Sequence, residues 1–288
     1  MLLTLTRWVF VASLLSSFGA ALFLRVVPSS VAPSIERRCR RVAGLSVAVA
    51  LISGLAWLLV EAAAMAETAT LAETLAALPA VLLGTWFGTV LLAQGIALVG
   101  AGTALALFPR RSALPAGLAA AATLLEAGHS HAFAMSDAPS LLLLSQALHL
   151  LAAGAWLGGL VPLLIVVRQA PLDAAQHAAR SFSTVGAACV AVLIVTALYQ
   201  GTVLSGGLAG LTGTGYGAML LIKATLFALL IALAAINRLG LAPALTGPAA
   251  ERSRRALSLS IAVETAIGLA VVFAASVLAS LEPGMHAG

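Results

Sequence analysis

Residues 146–162, QALHLLAAGAWLGGLVP, lie within an apolar run that is long enough to cross a lipid bilayer. The run extends over residues 140–167, and His149 is its one ionisable side chain. An ionisable group costs free energy in hydrocarbon, so it is kept in a membrane segment chiefly where it has a function. The stretch therefore predicts a transmembrane helix with a functional residue at His149.

The composition of the whole chain indicates an integral membrane protein. Of its 288 residues, 61% are hydrophobic and 9% are charged, whereas soluble domains carry about 25% charged residues. Apolar runs of this length exclude a membrane β-barrel, whose alternating strands have about 10 residues. We therefore expect residues 1–288 to form a single transmembrane domain. Cys39 and Cys189 are too few for a disulfide framework and are expected to be free thiols.

Apolar runs bounded by charged residues, Pro or Gly predict an all-α bundle of eight transmembrane helices. The predicted helices cover residues 5–27, 42–65, 80–108, 113–134, 140–167, 182–204, 217–237 and 257–280. A short amphipathic helix over residues 67–78 is expected on the outer surface, with the third membrane span beginning near Pro79. The apolar N-terminus is expected to be a retained helix, because a signal peptide would be shorter and would end in a cleavage site.

The basic residues predict the orientation of this bundle. Leaving out Arg7 and Lys223, 13 of the 15 Lys and Arg residues lie in the loops after the first, third, fifth and seventh helices or at the end of the first. The positive-inside rule assigns this face to the cytoplasm, so both termini are expected outside. Because the positive charge does not form one patch, nucleic acid is not an expected partner.

Imidazole and thioether side chains collect on the predicted outer side. Four of the five histidines and all four methionines after Met1 fall there. Copper selects these ligands, and thioethers favour Cu(I) in particular. Methionine also fills gaps in cores, so the shared side of both residue types is the evidence for a copper site. Four of these residues are expected to form an outer relay that passes copper to the site: Met65, Met219, Met285 and His286.

Helical rise predicts which residues form the centre of this site. At 1.5 Å per residue, His129 lies about 8 Å, Glu126 about 12 Å and His149 about 14 Å below the outer ends of two adjacent antiparallel helices. A copper site made by these three residues is therefore predicted. His131 and Met135 are expected above it, nearer the surface.

Other side chains are expected to support or compete with the site. On the helix of His149, Gln146 lies one turn above and Trp156 two turns below. Lys223 matches the depth of Glu126, and an ion pair between them would compete with metal binding. Glu264, near the inner side, could pair with an arginine such as Arg238 or Arg180, or could act as a proton site.

Several motifs resemble the CopD family of bacterial inner-membrane copper proteins. They are Gly128-His129, residues 149–160 (HLLAAGAWLGGL), residues 180–183 (RSFS), residues 217–223, Asn237-Arg238 and residues 85–88 (TWFG). The resemblance covers about residues 5–283. It implies eight transmembrane helices, movement of copper across the inner membrane, a separate periplasmic CopC-like copper-binding partner, and His129 and His149 as the leading metal ligands.

Together these observations predict an inner-membrane copper transport protein, not an enzyme, that moves copper from the periplasm toward the cytoplasm. The chain has no P-loop, so movement would be downhill, proton-coupled or driven by copper-binding sinks inside. A second interpretation is a membrane b-type cytochrome with His129 and His149 as axial haem ligands. A third is a copper-delivery factor that binds copper without transporting it.

Overall fold

The computed structural model describes residues 1–26, 31–108, 112–130, 140–204 and 214–281. Within these ranges the chain is helical and contains no strand. Seven helices or helix pairs are long and apolar enough to cross a membrane, which confirms an all-α polytopic protein. They are Leu2–Val26, Pro33–Met65, Trp86–Leu107, Ser140–Gln169, Leu172–Leu204, Gly215–Thr246 and Ala250–Leu278.

The described residues contain ten α-helices. The first half of the chain forms α1 (Leu2–Val26), α2 (Pro33–Met65), α3 (Leu71–Gly84), α4 (Trp86–Leu107) and α5 (Leu114–Leu125). The second half forms α6 (Ser140–Leu157), α7 (Leu160–Gln169), α8 (Leu172–Leu204), α9 (Gly215–Ile236) and α10 (Ala250–Leu278). Shorter turns follow two of them: a 3₁₀ turn after α5 (Glu126–His129), and a π turn (Asn237–Leu241) and a 3₁₀ turn (Pro243–Thr246) after α9.

The fourth predicted helix differs from its prediction of 113–134. Its α-helical part ends at Leu125, and the 3₁₀ turn carries the chain to His129. Backbone carbonyls at a helix end need donors from elsewhere, and here side chains supply them. The Trp86 indole donates to the Gly128 carbonyl at 3.1 Å, and Arg7 donates to the His129 carbonyl at 3.1 Å.

The third predicted span begins later than Pro79. Pro79 lies inside α3, and the break comes at Thr85, whose backbone is extended (φ −116°, ψ 153°). The Thr85 hydroxyl accepts a hydrogen bond from the Gly88 amide at 3.0 Å and so caps α4. A Cβ at Gly88 would lie 2.2 Å from the Val81 carbonyl oxygen, so glycine permits this tight turn.

The helices on the arginine-rich side extend beyond the predicted apolar runs. α2 begins at Pro33 instead of residue 42, and α8 begins at Leu172 instead of residue 182. Tertiary contacts hold the polar extension of α2: Arg40 Nε donates to the Leu105 carbonyl at 2.7 Å, and the buried Cys39 thiol contacts the Pro162 carbonyl at 3.8 Å. Both cysteines are free, as predicted, and the structure shows that both are buried.

Helix α1 lies at the centre of the bundle and packs against α2, α5, α6 and α10. Its crossing with α6 brings two backbones into direct contact. A Cβ at Gly19 would lie 2.2 Å from the Gly154 carbonyl oxygen, and a Cβ at Gly158 would lie 2.3 Å from the Leu15 carbonyl oxygen. Small residues allow such close helix packing in membranes. The chain turns directly after this contact, so the predicted 140–167 helix is divided into α6 and α7.

Candidate metal site

At the end of the 3₁₀ turn, the His129 ring contacts two oxygen atoms through its nitrogens and packs against two aromatic rings. Its Nδ1 lies 3.2 Å from Glu126 Oε2, and its Nε2 lies 3.3 Å from the Phe87 carbonyl oxygen. The ring stands edge-on to Trp57, with centroids 5.0 Å apart, and 5.2 Å from the ring of Phe87. Both ring nitrogens face acceptor oxygens, so copper can reach a nitrogen lone pair only after one of these contacts opens.

The carboxylate of Glu126 is buried and has three partners. Gln94 Nε2, itself fully buried, donates to Oε2 at 3.1 Å and to the Ala122 carbonyl at 3.2 Å. The Arg7 guanidinium lies 3.8 Å from Oε1 and stacks over Trp57 at 5.5 Å from its centroid. A buried carboxylate needs such compensation. The positive charge beside Glu126 therefore comes from Arg7, where the sequence suggested Lys223. The described residues include no ion pair between Lys223 and Glu126.

His149 belongs to a separate cluster between α6 and α8. Its Nδ1 lies 2.9 Å from Thr196 Oγ1, and the Thr196 hydroxyl donates to the Val192 carbonyl at 2.7 Å. Since a hydroxyl has one hydrogen to donate, His149 Nδ1 is assigned as the N–H donor to Thr196. The neutral ring then carries its lone pair on Nε2, the atom through which a histidine held in this way binds a metal.

The structure thus pairs Glu126 with His129 and gives His149 its own partner. Across the described ranges, no group of three or more His, Cys, Asp or Glu side chains is arranged to hold a metal ion. A complete copper site would need ligands or movements beyond this arrangement.

A polar cavity of about 130 Å³ lies between elements that carry the two clusters; we call it the outer cavity because it is at the predicted outer end. Arg7, Glu126 and Ser130 line one side of it. Side chains from α6, α8 and α9 line the other: Gln146, Gln200, Tyr216 and Lys223. The predicted neighbours Gln146 and Lys223 therefore lie at this cavity together with Glu126.

The remaining predicted residues are scattered. Met65 is exposed at the end of α2, and Met219 is half-buried on α9. Trp156 is buried toward the opposite end of the bundle, against Phe227 at a centroid distance of 6.3 Å. Four residues lie outside the described part of the chain: His131, Met135, Met285 and His286.

Glu264 has an amide partner in place of the predicted arginine. Asn237 Nδ2 donates to Glu264 Oε1. Arg238 instead donates to the carbonyl oxygen of Ser183 at 2.9 Å and to its hydroxyl at 3.2 Å. Among the residues that the structure describes, Glu264 has no ion pair, so its burial is not compensated by a cation.

Sequence reasoning missed four residues that shape the two histidine clusters: Arg7, Trp57, Gln94 and Thr196. Arg7 and Gln94 carried a signal, because each is a strongly polar side chain in a predicted transmembrane helix. Trp57 and Thr196 carried none, because aromatic and hydroxyl side chains are common in such helices. Their roles depend on which helices become neighbours.

Comparison with known proteins gives two family matches and several relatives. The family model "Copper resistance protein D" matches residues 176–278, and "Copper resistance protein D-like, N-terminal domain" matches residues 1–141. Copper resistance protein D of Pseudomonas syringae pv. tomato is 30% identical over 223 residues, which is 71% of each chain. No solved structure matches the chain.

Two further relatives match about half of this chain. Copper transport protein CutJ of Bacillus subtilis (strain 168) is 32% identical over 143 residues, which is 48% of this chain and 25% of CutJ. Inner membrane protein YebZ of Escherichia coli (strain K12) is 31% identical over 142 residues, which is 48% of each chain. The chain thus spans a quarter of CutJ and about half of YebZ.

The match over 71% of the Pseudomonas protein, with family matches in both halves of the sequence, shows that this chain belongs to the copper resistance protein D (CopD) family.

Proposed function

We propose that this protein transports copper across the bacterial inner membrane, from the periplasm toward the cytoplasm. The observation that carries the proposal is the buried His129–Glu126 pair beside a polar cavity, at the end of the bundle opposite the arginine-rich helix extensions. Membership of the CopD family supports copper as the substrate. The names of the relatives, which include a copper transport protein and an inner membrane protein, support transport and location.

The proposed topology has eight spans and both termini in the periplasm. α5 and its 3₁₀ turn belong to the fourth span. Most arginines lie near the helix ends that face away from the two termini, and they support this orientation through the positive-inside rule.

Copper binds first at the outer side, at the Met and His residues of the relay and at His131 and Met135. It then binds the imidazoles of His149 and His129. At His149 the atom is Nε2, since Nδ1 is engaged by Thr196. At His129 the Phe87 contact is the longer of the two at 3.3 Å. Its opening would leave Glu126 as the hydrogen-bond partner that orients the ring, which is the usual support for a metal-binding histidine.

A separate CopC-like protein is the proposed periplasmic donor of copper. Since the sequence contains no P-loop, the driving force is a copper gradient, proton movement or copper-binding sinks in the cytoplasm. The exposed Met65 at the end of α2 lies on the side where such a donor would dock.

Metal content and visible absorbance test the site. Purified wild-type protein loaded with Cu(I) is expected to retain copper, and His129→Ala and His149→Ala are each expected to lose most of it. His177→Ala is the matched control, because His177 is exposed near the start of α8 and should not affect binding. Full copper retention by both site variants would contradict the assignment.

The same preparation distinguishes the competing functions. A Soret band that disappears in His149→Ala would replace the transporter with a b-type cytochrome. Copper binding in detergent without copper entry into proteoliposomes would replace it with a delivery factor. Copper entry that depends on His149 is the result expected for a transporter.

A further inference from the structure

A second cavity, of about 230 Å³, lies toward the arginine-rich end of the bundle, and we call it the inner cavity. Its walls come from α6 to α10 and are mainly aliphatic and aromatic. The polar side chains that line it are Glu264, Asn237, Arg238 and Ser183. None of them is a ligand of the copper site proposed above.

Glu264 is the unusual member of this group, because only 2% of its surface is exposed and no described cation pairs with it. Arg238 is the charged side chain that shares the cavity, and its guanidinium is engaged by Ser183. The other described arginines of the elements around α10, such as Arg168 and Arg180, do not line the cavity. Burying a carboxylate without a cation is costly, whereas a proton removes that cost.

The backbone around Asn237 is also unusual. Asn237 begins the π turn that ends α9, and π turns within helices are frequent at functional sites. Its Nδ2 donates to Glu264, while its Oδ1 is buried without a hydrogen-bond partner in the described structure. The pair therefore retains an acceptor that a protonated carboxyl or a water molecule could satisfy.

We propose that Glu264 is a proton-exchange site through which copper movement is coupled to proton movement. The carboxyl takes up one proton and releases one proton in each cycle, and no bond other than O–H forms or breaks. One proton leaves for each Cu(I) that enters, so the exchange moves no net charge. The inference rests on the proposed transport function and adds the ion that is exchanged for copper.

Helix α10 provides a physical connection between Glu264 and the outer cavity. Ser276, twelve residues after Glu264, lines that cavity with Arg7 and Glu126, and twelve residues of helix span about 18 Å. Between them α10 is fastened to α1. Trp8 Nε1 donates to the Leu269 carbonyl at 3.0 Å, and its ring packs edge-on against Phe273. Trp8 directly follows Arg7, so a displacement at the outer cavity can move α10.

Infrared difference spectroscopy tests Glu264 without depending on transport. Adding Cu(I) to the full-length protein is expected to change a carboxyl C=O band that is absent in Glu264→Gln. The matched control is Glu251→Gln, the same substitution at an exposed position of the same helix, which should keep the band. Asn237→Ala should shift the band, because the carboxyl loses its amide donor, and this variant serves if Glu264→Gln does not fold. A band unchanged in Glu264→Gln and Asn237→Ala would overturn the inference.

Proton flux tests the coupling. Proteoliposomes that enclose a pH indicator should become more alkaline inside as external Cu(I) enters. Glu264→Gln should abolish this signal, and Glu251→Gln should preserve it. Copper entry into wild-type vesicles without a pH change would overturn the coupling but leave transport intact. Failure of copper entry in wild-type vesicles would instead overturn the proposed transport function.

Discussion

At the scale of single residues, the hydrogen bond from His149 to Thr196 decides which nitrogen faces a metal. Thr196→Val keeps the shape of the side chain but removes the acceptor for Nδ1. The ring then loses its preferred tautomer and orientation. Loss of such a supporting partner typically lowers metal affinity about 10–100-fold, and we expect a decrease of this size in Cu(I) affinity, measured by competition with a chelator.

Thr184→Val is the matched control for this prediction. Thr184 is exposed on the same helix and donates only to the Arg180 carbonyl within its own helix. The Cu(I) affinity of the Thr184→Val protein should equal that of the wild type. An unchanged affinity in Thr196→Val would mean that His149 binds no copper or that Thr196 does not orient it.

At the scale of elements, the crossing of α1 and α6 depends on glycine. In Gly19→Ala the new methyl would lie 2.2 Å from the Gly154 carbonyl oxygen, which is backbone and cannot rotate away. We expect a loss of about 1–3 kcal/mol, as for other overpacked contacts, seen as a lower thermal unfolding temperature in detergent. Since α1 carries Arg7, copper retention should fall as well.

Gly44→Ala tests whether this effect comes from the helix crossing. Gly44 is also in a helix, α2, but a Cβ there would meet no atom within 4 Å. Replacing a helical glycine with alanine at an open position should be neutral or stabilising by about 0.5–1 kcal/mol. Equal destabilisation by the two variants would contradict the packing explanation.

The start of α3 should respond to pH through its capping box. The Glu73 carboxylate accepts hydrogen bonds from the Ala69 amide at 2.9 Å and the Thr70 amide at 3.2 Å, and these bonds hold its pKa below the ordinary value. A lowered folded-state pKa gives stability that is present above the ordinary pKa of about 4.3. That stability is lost as the pH falls through the lowered value.

We therefore expect amide protection in the first turn of α3 to decrease below about pH 4.3, as measured by hydrogen exchange expressed as protection factors. Glu73→Gln should show weaker protection at neutral pH and little further loss on acidification. Glu67→Gln, at an exposed position just before the cap, should behave as the wild type. Equal pH dependence in Glu73→Gln and wild type would contradict a role for this carboxylate.

At the scale of the whole molecule, the orientation can be tested with a membrane-impermeant thiol reagent. The native Cys39 and Cys189 are buried and should remain unlabelled in intact cells. Thr68→Cys, between α2 and α3, should be labelled from the periplasm, and Ser112→Cys, at the arginine-rich end, only after the membrane is opened. The reverse pattern would invert the topology and place His129 on the cytoplasmic side.

The membrane class and the approximate helices could be predicted from the sequence. Hydrophobicity and arginine placement act along the chain, so they can be read without knowing which helices are neighbours. The ends of helices were less predictable. α2 continues through polar residues because contacts with other helices, such as that of Arg40 with the Leu105 carbonyl, stabilise it.

Which polar groups become partners depends on how the helices pack. Depth along neighbouring helices suggested Lys223 for Glu126 and an arginine for Glu264, yet the partners are Arg7 and Asn237. Depth gives the height of a residue in the bundle but not the direction in which its side chain points. That direction follows from helix rotation and crossing, which emerge only when the helices pack. For α1, the helix of Arg7, the close contact of Gly19 with Gly154 is part of that packing.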